Sequence, residues 1–132
     1  MFTKNSLIFI VEDDIPCGKL VQYYLQKNGF KKVVLFEDEK TCLANMSLKP
    51  KVLITDYRLK NLNGISLVKK ARKFYSGFHC ILLSGMSYRE IFADKSPRPE
   101  VDKFIMKGLN SLQEVYNTLC SWLHEQYIEQ YY

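Results

Sequence analysis

Short apolar runs alternate with longer helix-period segments from one end of this chain to the other, and no Gly/Ser linker or low-complexity stretch interrupts them. That rhythm leaves few folds open. Each strand has to be covered by the helix that follows it, and short right-handed crossovers then wind a parallel sheet with helices on both faces. The first run, residues 6–11, is continuously apolar after Ser6, as a strand buried on both sides must be, and it stops abruptly at Glu12-Asp13-Asp14. Pro16 suits a first helical turn, where its missing N–H is not needed. Leu20, Val21, Tyr24 and Leu25 then form an apolar stripe that ends at Asn28-Gly29.

The same reading predicts strands over residues 32–36, 51–56, 79–84 and 103–107. A weak helix is expected over 37–48 with Cys42, Leu43 and Met46 inward, and a stronger one over 64–75 with Ile65, Leu67, Val68 and Ala71 inward. A short helix over 88–94 is cut by Pro97 and Pro99. Ser111 and Glu114 have capping-box spacing, so a last helix is expected from there to about Gln130. The expectation is an α/β doubly wound sheet, with chemistry at the carboxyl ends of the strands near the point where strand order reverses.

Composition agrees with one domain over residues 1–132: 47% of residues are apolar, and 19 Lys plus Arg face 14 Asp plus Glu, a net charge of +5. A disordered tail is excluded. Cys17, Cys42, Cys80 and Cys120 are too widely spaced for a metal motif and read as reduced thiols of a cytoplasmic protein. The apolar run near the N-terminus is too short for a signal peptide or a membrane span, so no membrane role is expected. Nucleic acid is disfavoured as well. Lys69, Lys70, Arg72 and Lys73 fall on more than one face of their helix, and no nucleic-acid-binding motif accompanies them.

The residues just past the strands are Glu12, Asp13 and Asp14 after the first, Asp56 at the end of the third, Ser84 at the end of the fourth and Lys107 after the fifth. Singly, each has a bland reading. Asp14, two residues before Pro16, reads as a helix N-cap, Ser84 before Gly85 as a turn residue, and Lys107 as a solvated charge. Together at the ends of one sheet they read as a site. Carboxylates from two neighbouring strands repel unless a cation joins them, and all-oxygen ligation with room for phosphate oxygens suits Mg²⁺. One carboxylate is then left as a nucleophile beside a hydroxyl and an ammonium, an arrangement for phosphoryl transfer onto aspartate. No Gly-rich loop follows the first strand, which argues against nucleotide cofactors.

This ordered set resembles the receiver domain of two-component response regulators over essentially the whole chain. The matching features are Glu12-Asp13-Asp14, the stretch Leu53-Ile-Thr-Asp56 with Leu59 and Gly64 after it, Ser84-Gly85, and Phe104-Ile-Met-Lys107. The resemblance implies a flavodoxin-like fold with strand order 2-1-3-4-5. It places the phosphoacceptor on Asp56, with Mg²⁺ held by Asp13, by Glu12 through water, by Asp56 and by the backbone carbonyl of Arg58. Ser84 becomes the switch hydroxyl, Lys107 the cation that pairs with the phosphoryl group, and Phe104 the switch aromatic.

The implied role is signalling, not enzymatic turnover. A histidine kinase or histidine phosphotransfer protein donates the phosphoryl group. With no output domain after the last helix, a downstream protein is expected to read the face of helix 4, strand 5 and helix 5 near Phe104, Met106, Tyr116 and Cys120. A stripe of Tyr116, Leu119, Leu123 and Tyr127 on the last helix either serves that docking or caps the core. Arg58 and Met86 fall where the family tunes access of the hydrolytic water.

Two departures stand out. Gly108 replaces the family's cis proline, and since a cis bond before a non-proline costs about 2.5–4 kcal/mol the bond is expected to be trans. Lys60 replaces a loop proline, so the loop beside the site is expected to differ in mobility or shape. These departures also motivate an alternative, a degenerate receiver that acts as a phosphorylation-independent interaction module.

Overall fold

The structure is a computed structural model and describes residues 1–91 and 101–131, with side chains through Leu123. The strands are β1 (Leu7–Val11), β2 (Lys32–Phe36), β3 (Val52–Asp56), β4 (His79–Ser84) and β5 (Lys103–Met106). The helices are α1 (Ile15–Lys27), α2 (Glu39–Ala44), α3 (Gly64–Phe74), α4 (Tyr88–Ile91) and α5 (Ser111–Tyr131). All strand pairs are parallel, in the order β2-β1-β3-β4-β5. The expected doubly wound sheet is therefore the one observed, and the reversal of strand order falls between β1 and β3.

Strand side chains alternate between two cores, as the period of two requires. Ile8, Ile10, Val52, Ile54, Ile81 and Leu83 join Leu25 of α1 and Val115 and Leu119 of α5 on one face. Phe9, Val11, Leu53 and Cys80 join Cys42 of α2 and Leu67, Val68 and Ala71 of α3 on the other. Both faces of the central strands are thus dry, which is why their sequences read as unbroken apolar runs.

The differences from expectation have local causes. Residues 37–48 do not form one helix: α2 ends at Ala44, and a 3₁₀ turn over Met46–Leu48 follows. Asn45 turns the chain there, its side-chain amide donating to the Thr41 carbonyl at 2.8 Å, and Lys49 in the left-handed region (φ 57°) closes the turn. The Ser111–Glu114 capping box does not form. The Glu114 N–H donates to the Asn110 carbonyl at 2.9 Å, while the Ser111 hydroxyl donates back to the Gly108 carbonyl at 2.9 Å.

Leu20 is not a core residue; it is 55% exposed. On α5, Leu119 is core and Tyr116, Trp122 and Leu123 pack against it, with Tyr116 set edge-on to both Tyr24 and Phe30. In the described residues the stripe therefore packs on the core, with Tyr116, Trp122 and Leu123 partly buried. Tyr127, the 92–94 end of the expected fourth helix, Pro97 and Pro99 lie outside the described residues and side chains.

A close backbone approach links fold to site. A Cβ on Gly64 would lie 2.3 Å from the Asp56 carbonyl oxygen and 2.9 Å from Leu82, because α3 starts directly against the end of β3. Gly64→Ala should therefore lower stability by about 1–3 kcal/mol, the range for inserting a methyl into filled space, as read by urea unfolding.

Candidate functional site

Register places the site. Val11 lies opposite Thr55, so the next residues, Glu12 and Asp56, emerge side by side at the same edge of the sheet. On the other flank Ser84 pairs with Met106, and the Lys107 N–H continues the ladder to the Ser84 carbonyl at 2.7 Å. Four separate stretches of sequence thus converge at the carboxyl ends of β1, β3, β4 and β5. Asp14 caps α1, its carboxylate accepting from the Cys17 N–H at 3.4 Å, as expected of it.

The carboxylates of Glu12, Asp13 and Asp56 bring one oxygen each to within 4.8 Å of one another. Lys107 Nζ reaches two of them, at 2.8 Å from Glu12 Oε1 and 3.4 Å from Asp56 Oδ2. Asp56 Oδ1 accepts from the Tyr57 N–H at 2.9 Å, which leaves the carboxylate fixed at one oxygen and reachable at the other. Asp56, Ser84, Lys107, Arg58, Gly85 and Met86 line a cavity of about 390 Å³. Ser84 is only 1% exposed, and its Oγ accepts from the Met86 N–H at 2.9 Å. The residues expected from sequence therefore meet. Phe104 stands apart, half-buried and edge-on to Tyr88 at 5.6 Å.

Among the described residues, Lys107 pairs with two of the three carboxylates, Glu12 and Asp56. Glu12 is 5% exposed, and burial raises its carboxyl above the usual 4.5, with Asp56 adding to the rise while the Lys107 hydrogen bond and charge oppose it. For Lys107, burial pulls the ammonium's value down, but the hydrogen bond it donates to Glu12 and the negative charges of Asp56 and Glu12 outweigh it and leave it raised above 10.5. An all-oxygen donor set with uncompensated negative charge fits a hard divalent cation such as Mg²⁺, which needs few protein carboxylates and keeps waters for the remaining positions.

Two contacts beside these residues were not legible in the sequence. Tyr57 acts through its backbone N–H, which no side-chain pattern can announce. Glu39, in the first turn of α2, is 2% exposed and accepts from the Asn61 N–H at 2.9 Å. An acidic residue there looks like an ordinary helix-start charge. The Lys107–Gly108 bond is trans, as expected.

The loop carrying Lys60 folds back on itself. Arg58 bridges to Asn63, and the Gly64 N–H donates to the Tyr57 carbonyl at 2.7 Å.

A family model described as the response regulator receiver domain matches residues 8–118. Two curated proteins of Bacillus subtilis are similar. The alkaline phosphatase synthesis transcriptional regulatory protein PhoP is 26% identical over 80 residues, 61% of this chain and 33% of that one. The uncharacterized transcriptional regulatory protein YbdJ is 26% identical over 131 residues, 92% of this chain and 57% of that one. The chain thus spans a third to somewhat over half of these relatives.

Among solved structures, a CheY-like response regulator receiver domain protein from Methanospirillum hungatei is 24% identical with a TM-score of 0.77, over 95% of this chain and 98% of that one. The response regulator TrrA of Thermotoga maritima, solved in complex with Mg²⁺ and BeF, is 22% identical with a TM-score of 0.70, over 86% and 98%.

The Glu12–Lys107 pair sets a pH response. Because the folded chain holds the Glu12 proton more tightly than the unfolded chain, this group opposes folding above its raised folded-state value, and the opposition fades as pH falls through that value toward 4.5. Lys107→Met should move the Glu12 midpoint further upward by carboxyl NMR. The variant's loss of melting temperature against wild type should be largest at neutral pH and shrink on acidification.

Proposed function

The chain belongs to the response regulator receiver domain family, a signalling domain of two-component systems, and on that footing we propose that Asp56 is its phosphoacceptor, with residues 1–132 forming one receiver domain. The observation that carries this reading is the meeting of Glu12, Asp13 and Asp56 within 4.8 Å, with the Lys107 ammonium on two of them. The donor is a phosphohistidine on a histidine kinase or phosphotransfer protein.

The Asp56 Oδ2 that faces Lys107 attacks phosphorus. The P–N bond breaks, its electron pair stays on the departing imidazole nitrogen, and an acyl phosphate remains on Asp56. Before transfer, Lys107 holds Asp56 and Glu12 together against their repulsion. During transfer its ammonium is in reach of the new phosphoryl oxygens. Ser84 has its Oγ fixed by the Met86 N–H, which leaves the hydroxyl hydrogen to donate to another phosphoryl oxygen. Mg²⁺ would be held by Asp13, Asp56, the Arg58 carbonyl and, through water, Glu12, where it neutralises phosphoryl oxygens. With donors fixed by strands, little has to reorganise as charge moves.

Output follows from Ser84 and Lys107 being drawn toward the new dianion. Both sit at the ends of β4 and β5, next to the Tyr88–Phe104 pair and the exposed Met106. Phe104 is the proposed switch aromatic, and a downstream protein is proposed to read the α4–β5–α5 face. The cytoplasm is the proposed setting: a reducing compartment keeps thiols such as Cys17, Cys42 and Cys120 unoxidised. Among the described residues, no helix is long and apolar enough to cross a membrane.

Incubation with acetyl phosphate and Mg²⁺ should give a phosphorylated species by intact mass, and chelating Mg²⁺ or substituting Asp56→Asn should abolish it. An unlabelled wild type would point instead to a phosphorylation-independent interaction module.

Arg58 and Met86 line the cavity over Asp56 and are proposed to screen the acyl phosphate from water. Arg58→Ala and Met86→Ala should each shorten its lifetime, measured by phosphate release after labelling; lifetimes equal to wild type would reject the screening role.

A further inference from the structure

We propose that Glu39 is a positioning residue for the phosphoacceptor site, holding the tip of the loop that carries Arg58 so that the cation-binding oxygens keep their arrangement. This rests on the reading of Asp56 as phosphoacceptor and deepens it.

The loop over residues 57–63 leaves β3 one residue after Asp56 and returns to α3 at Gly64. Its base is closed by backbone contacts, the Arg58–Asn63 bridge and the Gly64 N–H on the Tyr57 carbonyl. Among the described residues the tip has no such ladder. Leu59 and Leu62 rest against the core under α2 and α3. The directional contact at the tip is Glu39 Oε1, which accepts from the Asn61 N–H at 2.9 Å. Apolar contact fixes depth but not direction, whereas a hydrogen bond to a carboxylate fixes both.

The burial of Glu39 is otherwise unexplained. Asp38 is the N-cap of α2 and already accepts from the Thr41 N–H at 2.8 Å, so Glu39 is not needed for capping. It is nevertheless 2% exposed, and its Oε2 has no hydrogen-bond partner among the described residues. An under-satisfied buried carboxylate costs free energy, and a chain that keeps one needs a compensating use. Tying α2 to the loop beside Asp56 is such a use. Lys60, next to Asn61, leaves φ unconstrained at the tip, so the tether has work that a rigid residue would otherwise perform.

The experiment measures Mg²⁺ affinity by calorimetry and exchange of the Asn61 amide hydrogen by NMR without Mg²⁺, in wild type, E39A, E39D and E39Q. Glu39→Ala and the shorter Glu39→Asp should both speed Asn61 exchange and weaken Mg²⁺ binding roughly tenfold, the lower end of what partners behind a metal's ligands cost. Glu39→Gln keeps an acceptor oxygen and should restore both.

Should one truncation fail to fold, the other decides. Faster exchange with Mg²⁺ affinity within a factor of two of wild type would overturn the proposal, because the contact would then be structural only. Unchanged exchange would overturn it as well. A wild type that binds no Mg²⁺ would overturn the reading of the site itself, and this proposal with it.

Discussion

Too much negative charge gathers at one edge of the sheet for a single ammonium to balance. The parallel register holds Glu12 and Asp56 side by side, since each is the next residue after the last register pair of β1 and β3, Val11 and Thr55. Lys107 spans both carboxylates and makes the arrangement tolerable without saturating it. Burial, with the charge of Asp56 added to it, raises the proton affinity of Glu12 even with Lys107 at hydrogen-bond distance. A site in this condition gains free energy from a divalent cation and from any process that redistributes the ammonium. The proposed phosphoryl transfer makes use of both.

The scaffold around this edge is built to keep it still. Core side chains on both faces of β1, β3 and β4 lock the strands, and the site residues begin where those strands end. The proposed site therefore sits on strand termini and short loops, where a rigid support allows unusual charge to persist. Gly64 lets α3 start against Asp56, and the Glu39–Asn61 contact ties the intervening loop to α2.

Lys107 has a second neighbourhood. It also lines an apolar cavity of about 400 Å³ between α1 and the start of α5, with Leu20 and Leu109 among its lining residues. Leu20 is exposed on α1 because that side of the helix borders this cavity and not the core. The α5 aromatics, in contrast, are spent on packing: Tyr116 stands against Tyr24 and Phe30, and Trp122 stacks on His79. In the described residues the exposed apolar side chains near β5 are Tyr88, Met106 and Leu109.

The alternation of apolar runs and helix-period segments determined the five strands, their parallel arrangement and the edge where the carboxylates gather, because those follow from periodicity and from the few ways strands and helices can cover one another. Glu12, Asp13, Asp56, Ser84 and Lys107 were legible for the same reason: each sits at a strand end, a position set by local pattern.

What local pattern could not supply was any contact between segments that lacks a periodic signature. The break of α2 at Asn45, the pairing of Lys107 with Glu12, the Tyr57 N–H on Asp56 and the buried reach of Glu39 to Asn61 depend on which groups meet across the fold. Only the assembled sheet and its crossovers decide that, since a hydrogen bond or an ion pair between residues far apart in sequence exists only once packing has brought both into place.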